Sequence, residues 1–100
     1  MIPKNRIPSP PGEILAEEFL KPLGMTQQEL SRKMKVPIQR INTLINGKRG
    51  MTPETAILLS GILKTTPQFW MNLQTNYELE LAQDERGAEI VNRIRPHQAA

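Results

Sequence analysis

Polar side chains that can form hydrogen bonds with nucleic-acid bases share one face of a short predicted helix. Gln39 and Arg40 precede Thr43 by four and three residues, the spacing of neighbours on a helix surface. Arginine pairs with guanine and glutamine with adenine, and threonine offers both a hydroxyl and a methyl group. We therefore predict that these three side chains contact base edges in a DNA major groove. The alternative is that they are ordinary solvent-exposed residues, as most polar residues on a helix surface are.

Four further residues flank this face and are predicted to contact phosphate groups. Gln27 begins the preceding helix, where free backbone N–H groups and the helix dipole favour an anion. Asn46, Lys48 and Arg49 follow the predicted reading helix, where they can hold the adjacent DNA backbone. The basic loop at 47–50 has a simpler interpretation as a solubilising turn.

Two short helices and a tight turn position these side chains. Thr26 and Glu29 have the spacing of a capping box, in which threonine accepts a backbone N–H and glutamate reaches back. Pro37 suits the first turn of the next helix, and Gly47 suits its end. Apolar spacings of three and four predict the buried side of that helix: Ile38, Ile41, Leu44 and Ile45. The combination is typical of a helix-turn-helix, whose second helix enters the major groove.

Helix start and stop residues predict three more helices, and no segment reads convincingly as a strand. One begins at Pro11 and ends near Gly24, a second begins at Thr52-Pro53, and a third begins at Thr66-Pro67. In the first of these, Ile14, Leu15, Glu18, Phe19 and Leu23 are expected to trace one face. Gly87 argues against simple continuation of the last helix. We predict an all-α, five-helix domain at 11–83, with an N-terminal arm at 1–10 and a part-ordered tail at 84–100.

Positive charge is concentrated in one quarter of the chain. The net charge is +3, and residues 25–50 hold six basic residues against a single acidic one. The rest of the chain is close to neutral or slightly acidic. A local basic surface of this kind is the electrostatic pattern expected for contact with phosphate, although basic surfaces also have other uses.

The sequence offers little material for enzyme chemistry or metal binding. It contains no cysteine, and His97 is its single histidine, with no ligand partner nearby. Adjacent carboxylates at 17–18 and 84–85 point to different faces of a helix. We predict a protein that is not an enzyme and that uses no cofactor and no metal. No stretch resembles a signal peptide or a membrane span, so we expect a cytoplasmic protein.

The predicted last helix carries an apolar stripe at Trp70, Leu73, Tyr77 and Leu81. Its first two members are expected in the core. Tyr77 and Leu81 extend beyond the compact region, and we predict that they form a twofold dimer. Such a dimer would place two reading helices about 34 Å apart, one turn of DNA.

The run MTQQELSRKM at 25–34, followed by Ile41, Leu44 and NGK at 46–48, matches the core pattern of a known family. In these residues the chain resembles the lambda-repressor/Cro-like (XRE) regulators. Further matches between residue 11 and about 82 are narrower: PGEIL at 11–15, EFL at 18–20, PLG at 22–24, RIN at 40–42, NGKRG at 46–50, and FW at 69–70. In these motifs it resembles the HigA-type antitoxins.

This narrower resemblance implies a dimer that binds its own operon promoter and neutralises a HigB-like toxin, which cleaves messenger RNA on the ribosome. A solitary transcriptional repressor without a toxin partner is the alternative. Lys35 stands where the family usually has glycine. If the backbone there has a positive φ, lysine costs about 1 kcal/mol while adding a positive charge.

Overall fold

The computed structural model describes residues 9–95, and five helices make up most of this range. Helix α1 consists of three consecutive segments, Pro11–Ile14, Leu15–Leu20 and Lys21–Leu23. The others are α2 (Gln27–Met34), α3 (Ile38–Ile45), α4 (Pro53–Leu63) and α5 (Pro67–Asn92). Since residues 9–95 contain no strand, the all-α, five-helix architecture is confirmed. Most of the predicted arm, and the end of the predicted tail with His97, lie outside the described residues.

The middle of α1 is a π-helical turn, which the sequence did not predict. The Lys21 N–H donates to the Ala16 carbonyl, five residues back, instead of the usual four. Leu15 and Leu20, also five residues apart, are both buried. The predicted face was therefore partly wrong: the wider turn shifts the register by one residue, so that Glu18 and Leu23 are exposed.

Threonines and lysines fix where the central helices begin and end. The Thr26 hydroxyl accepts from the Glu29 N–H at 3.0 Å, and Glu29 accepts from the Thr26 N–H at 3.0 Å, which confirms the capping box. Thr52 and Thr66 cap α4 and α5 in the same way. Helix α2 ends at Lys35, whose φ of 58° is left-handed, as expected for a glycine position.

The core lies where all five helices meet. The Trp70 ring is fully buried, and its indole N–H donates to the Thr65 hydroxyl at 2.7 Å. The Phe19 and Phe69 rings lie against it, with centroids 5.1 and 4.9 Å from the Trp70 ring. The apolar members of the core are Leu15, Leu20, Leu30, Met34, Ile41, Leu44, Met51, Ala56, Leu59 and Trp70.

Helix α5 continues through Gly87, so the expectation that this glycine argues against simple continuation of the helix was wrong. The helix has 26 residues and a length of about 39 Å at 1.5 Å per residue. Glu89 accepts from Arg86 and forms an ion pair with Arg93, and such pairs support a helix across one weak position. No helix within residues 9–95 is both long enough and apolar enough to cross a bilayer.

Candidate nucleic-acid interface

Helix α3 is held against the core by one side and leaves the other open. Ile41 and Leu44 are fully or almost fully buried. Ile38 was predicted to join them, but it is 42% exposed. Because each residue turns a helix by about 100°, Ile38 lies at the edge of the buried side, next to the open face. We call that open face the reading surface; its members are Ile38, Gln39, Asn42, Thr43 and Asn46.

Three amide side chains, two of them on the reading surface, are linked in a chain by hydrogen bonds. The Asn46 Nδ2 donates to the Asn42 Oδ1 at 2.9 Å, and the Asn42 Nδ2 donates to the Gln27 Oε1 at 3.4 Å. The chain thus joins two predicted phosphate contacts, Gln27 on α2 and Asn46 after α3. Asn42 was not among the predicted contact residues. Its position three residues after Gln39 and four before Asn46 is the signal that would have placed it there.

Arg40 is turned away from the reading surface, toward the start of α4. Its Nη2 lies 2.8 Å from the Glu54 Oε1 and 3.4 Å from the Thr55 hydroxyl oxygen. The Arg40 side chain is only 23% exposed, and its Nε is buried without a hydrogen-bond partner among the described residues. To contact a base, as predicted, Arg40 would first have to leave Glu54.

Gln39, Thr43 and Arg49 line one shallow groove, together with Pro37 and part of Arg40. The Thr43 hydroxyl donates to the Gln39 carbonyl at 2.9 Å, which leaves its oxygen able to accept. The Gln39 side chain is exposed and forms no hydrogen bond with another residue in 9–95. The structure therefore brings all three predicted base contacts to one groove with one predicted phosphate contact, although the Arg40 guanidinium is paired with Glu54.

The basic loop after α3 is folded back on its own helix. The backbone N–H groups of Lys48 and Arg49 donate to the Thr43 carbonyl at 2.9 and 3.2 Å, and Gly47 has a φ of 77°. Farther on, the Met51 N–H donates to the Oε1 of the buried Gln74 on α5 at 2.7 Å. The loop backbone is thus fixed while both basic side chains stay exposed.

The helix-turn-helix family model matches residues 17–70, which include α2, α3 and α4. The chain belongs to the helix-turn-helix family. This family has the lambda-repressor-like all-α fold and consists of DNA-binding regulators, not enzymes. The predicted fold class and the prediction that the protein is not an enzyme are therefore confirmed.

Individual members of the helix-turn-helix family are similar over most of the chain. Antitoxin HigA-1 from Vibrio cholerae is 40% identical over 75 residues, 75% of this chain and 70% of the relative. The uncharacterized HTH-type transcriptional regulator YbaQ from Escherichia coli is 38% identical over 91 residues, 90% of this chain and 80% of the relative. The structure of the Pseudomonas aeruginosa antitoxin HigA with the higBA promoter is 38% identical, covers 83% of this chain and 90% of that one, and has a TM-score of 0.79.

The capping box at the start of α2 favours the ionised form of Glu29. Hydrogen bonds from the Thr26 backbone N–H and hydroxyl lower the pKa of the Glu29 carboxyl below its ordinary value, and the positive charges of Arg32 and Lys33 act in the same direction. Glu29 is therefore ionised at neutral pH. Its negative charge is bound within the cap, beside Arg32 and Lys33.

The predicted dimer residues lie on α5, after Gln74, which holds the backbone of the loop that follows α3. Tyr77 and Leu81 are half-buried on α5, one turn apart. Leu79 lies between them in sequence and is 54% exposed. Farther along, Ile90 and Val91 are exposed as well.

Proposed function

We propose that this protein is a dimeric antitoxin that binds its operon promoter through α2 and α3, represses that operon, and neutralises a HigB-like mRNA-cleaving toxin. The observation that carries DNA binding is the reading surface, which lies between the start of α2 and the fixed basic loop. The base contacts proposed from the sequence are Gln39, Arg40 and Thr43, and the phosphate contacts are Gln27, Asn46, Lys48 and Arg49.

The site is built in a single chain, which supports a role in binding without large rearrangement. The amide chain fixes Gln27 relative to Asn46, and the loop backbone fixes Lys48 and Arg49 relative to α3. Side chains that are ordered before binding lose less conformational entropy when they meet DNA.

The far end of α5, residues 79–92, supports the dimer. Its exposed apolar residues Leu79, Ile90 and Val91 have no partner within residues 9–95, and the half-buried Tyr77 and Leu81 lie at or just before its start. Residues 78–85 hold four acidic residues and no basic one, whereas residues 86–95 hold three basic residues and one acidic residue. Two such segments lying antiparallel would pair the acidic residues of one with the basic residues of the other.

Binding of the full-length protein to duplex DNA from the region upstream of its own gene tests promoter recognition. Lys48→Ala should weaken binding to all sequences alike and reduce the slope of log affinity against log salt by about one unit. Lys64→Ala is the matched control, because Lys64 is also an exposed lysine but ends α4. No preference for the upstream duplex over a scrambled duplex would contradict promoter binding.

Co-expression with each adjacent reading frame tests the antitoxin role. One neighbouring product should arrest growth when expressed alone and become harmless when this protein is present. If no neighbouring product is toxic, the antitoxin role is wrong even where DNA binding holds.

A solitary repressor is the second candidate, and the similarity to the regulator YbaQ favours it. It shares the reading surface and the dimer but predicts promoter binding with no toxic neighbour. Sedimentation at micromolar concentration, with and without the duplex, tests the dimer common to both; a monomer in both conditions would exclude it.

A further inference from the structure

We infer that the reading surface recognises A·T base pairs, with amide side chains on adenine and Ile38 against thymine methyl groups. Arg40, proposed above as a base contact, is here a positioning residue that does not read guanine. The inference deepens the proposed function and rests on DNA binding at α3.

The Arg40 guanidinium has few donors left for a base. A guanidinium holds guanine by two parallel N–H groups, and either two-donor edge of the group includes Nη2. That atom lies 2.8 Å from the Glu54 Oε1 and 3.4 Å from the Thr55 hydroxyl. Nη2 donates to both of these oxygens and Nε is buried, so reading guanine with a two-donor edge would require breaking the link between α3 and α4. Base reading therefore falls to the members of the reading surface.

Glutamine and asparagine are the side chains that bind adenine in the major groove, and the reading surface carries both. Gln39 is exposed, in the first turn of α3, the part of a reading helix that contacts base edges. Asn42, one turn later, is also exposed but is held by Gln27 and Asn46. Asn42 keeps one unused N–H and one unused lone pair for adenine, because each of its two polar atoms makes only one of these hydrogen bonds.

Ile38, the first residue of α3, is 42% exposed. It lies directly beside Gln39 and one turn before Asn42. A branched apolar side chain among amides has no hydrogen-bonding use on this face. The one apolar group that the major groove offers is the thymine methyl, which accompanies every adenine on the opposite strand. Contact with it would remove both apolar groups from water.

Two substituted duplexes test this with the full-length protein. Duplexes are first selected from a random library, and each contacted thymine is then replaced by deoxyuridine, which removes only the methyl group. We expect wild-type binding to weaken about fourfold for each methyl contacted. Ile38→Ala should weaken binding to the thymine duplex by a similar factor and show no further loss with deoxyuridine. Ile57→Ala, at an exposed isoleucine on α4, should behave as wild type on both duplexes.

A second cycle and a sequence profile test the amides and Arg40. Replacing the contacted adenine by 7-deazaadenine should weaken wild-type binding about tenfold and leave Gln39→Ala unaffected. Arg40→Met should lower the unfolding free energy but select the same sequences as wild type.

Three results would overturn the inference while leaving DNA binding intact: equal loss with deoxyuridine for Ile38→Ala and wild type, equal loss with 7-deazaadenine for Gln39→Ala and wild type, or a guanine preference that disappears in Arg40→Met. Failure to select any sequence would instead contradict the proposed function itself.

Discussion

The reading surface and the far end of α5, residues 79–92, are both open in the isolated chain, but they differ in how they are built. Asn42 and Asn46 of the reading surface are held by each other and by Gln27, and the Thr43 carbonyl holds the backbone of the loop that follows. The far end of α5 is a bare helix that exposes Leu79, Ile90 and Val91. One surface is complete in a single protomer, whereas the other is not.

This contrast separates two kinds of mutational effect. A change near α3 should alter the stability or the DNA affinity of each protomer. A change in residues 79–92 should act mainly through association and should therefore depend on protein concentration. The two surfaces can be tested one against the other with glycine, lysine and carboxylate pairs.

The largest difference is expected between two glycines. A Cβ added at Gly12 would overlap the Leu44 carbonyl and lie 2.8 Å from the Ile45 Cα, so α1 would have to move away from α3. Gly12→Ala should cost about 3 kcal/mol of unfolding free energy or more. A Cβ at Gly87 would meet only the Gln83 Cβ, at 3.8 Å, and Gly87→Ala should instead stabilise the helix by about 0.5–1 kcal/mol.

Urea denaturation at several protein concentrations measures both changes. If both variants lost a similar unfolding free energy at low protein concentration, Gly87 would be packed within one protomer, contrary to this prediction.

Gln74 marks the boundary between the two regions and should give the next largest effect. Its Oε1 accepts from the buried Met51 N–H, and its Nε2 donates to Glu78 at 2.8 Å. Gln74→Met removes the acceptor while preserving much of the shape, and should cost about 1–3 kcal/mol. Glu78→Gln keeps an oxygen for Gln74 and is the matched control. Faster hydrogen exchange at the Met51 amide in Gln74→Met alone would locate the effect; unchanged exchange would argue against it.

Local chemistry explains what could be predicted from the sequence. The starts of α2, α4 and α5 follow from threonines that cap their own helices within three residues. The end of α2 at Lys35 has no such signal in the residue itself, because lysine does not favour the left-handed backbone found there; the family resemblance indicated it.

Contacts between distant residues explain what could not be predicted. Arg40 has the right type and spacing for base reading, but its partner Glu54 is 14 residues away and on another helix. Ile38 follows the apolar period of α3, yet nothing in that period shows where the buried side ends. Gly87 has low helix propensity, about 1 kcal/mol below alanine, but one such residue does not outweigh a helix of 26 residues.

Two lysines with the same backbone conformation should differ in their effect on DNA binding. Lys35 ends α2 and Lys64 ends α4, with left-handed φ values of 58° and 59°. Replacing either with glycine should relieve the same strain and raise the unfolding free energy by about 1 kcal/mol. Only Lys35→Gly should also weaken DNA binding and its salt dependence, because only Lys35 adjoins the helix-turn-helix turn. Equal affinity in the two variants would remove Lys35 from the interface.

The smallest effect concerns the pH dependence of the α2 cap. The pKa of Glu29 is lowered from 4.5 in the folded protein, chiefly by the Thr26 backbone N–H and hydroxyl. Its stabilising contribution is therefore fully present above pH 4.5 and is lost as the pH falls through the lowered folded value. Glu29→Gln keeps the capping hydrogen bond but cannot titrate, so its unfolding free energy should fall less steeply between pH 5 and pH 3.

Glu85→Gln is the control on the exposed far end of α5, and its pH profile should follow that of wild type. Urea denaturation across this pH range distinguishes the variants. If Glu29→Gln and Glu85→Gln flattened the profile equally, acid sensitivity would belong to the overall charge of the protein. A flatter profile for Glu29→Gln alone would assign it to the cap that holds Gln27 beside the reading surface.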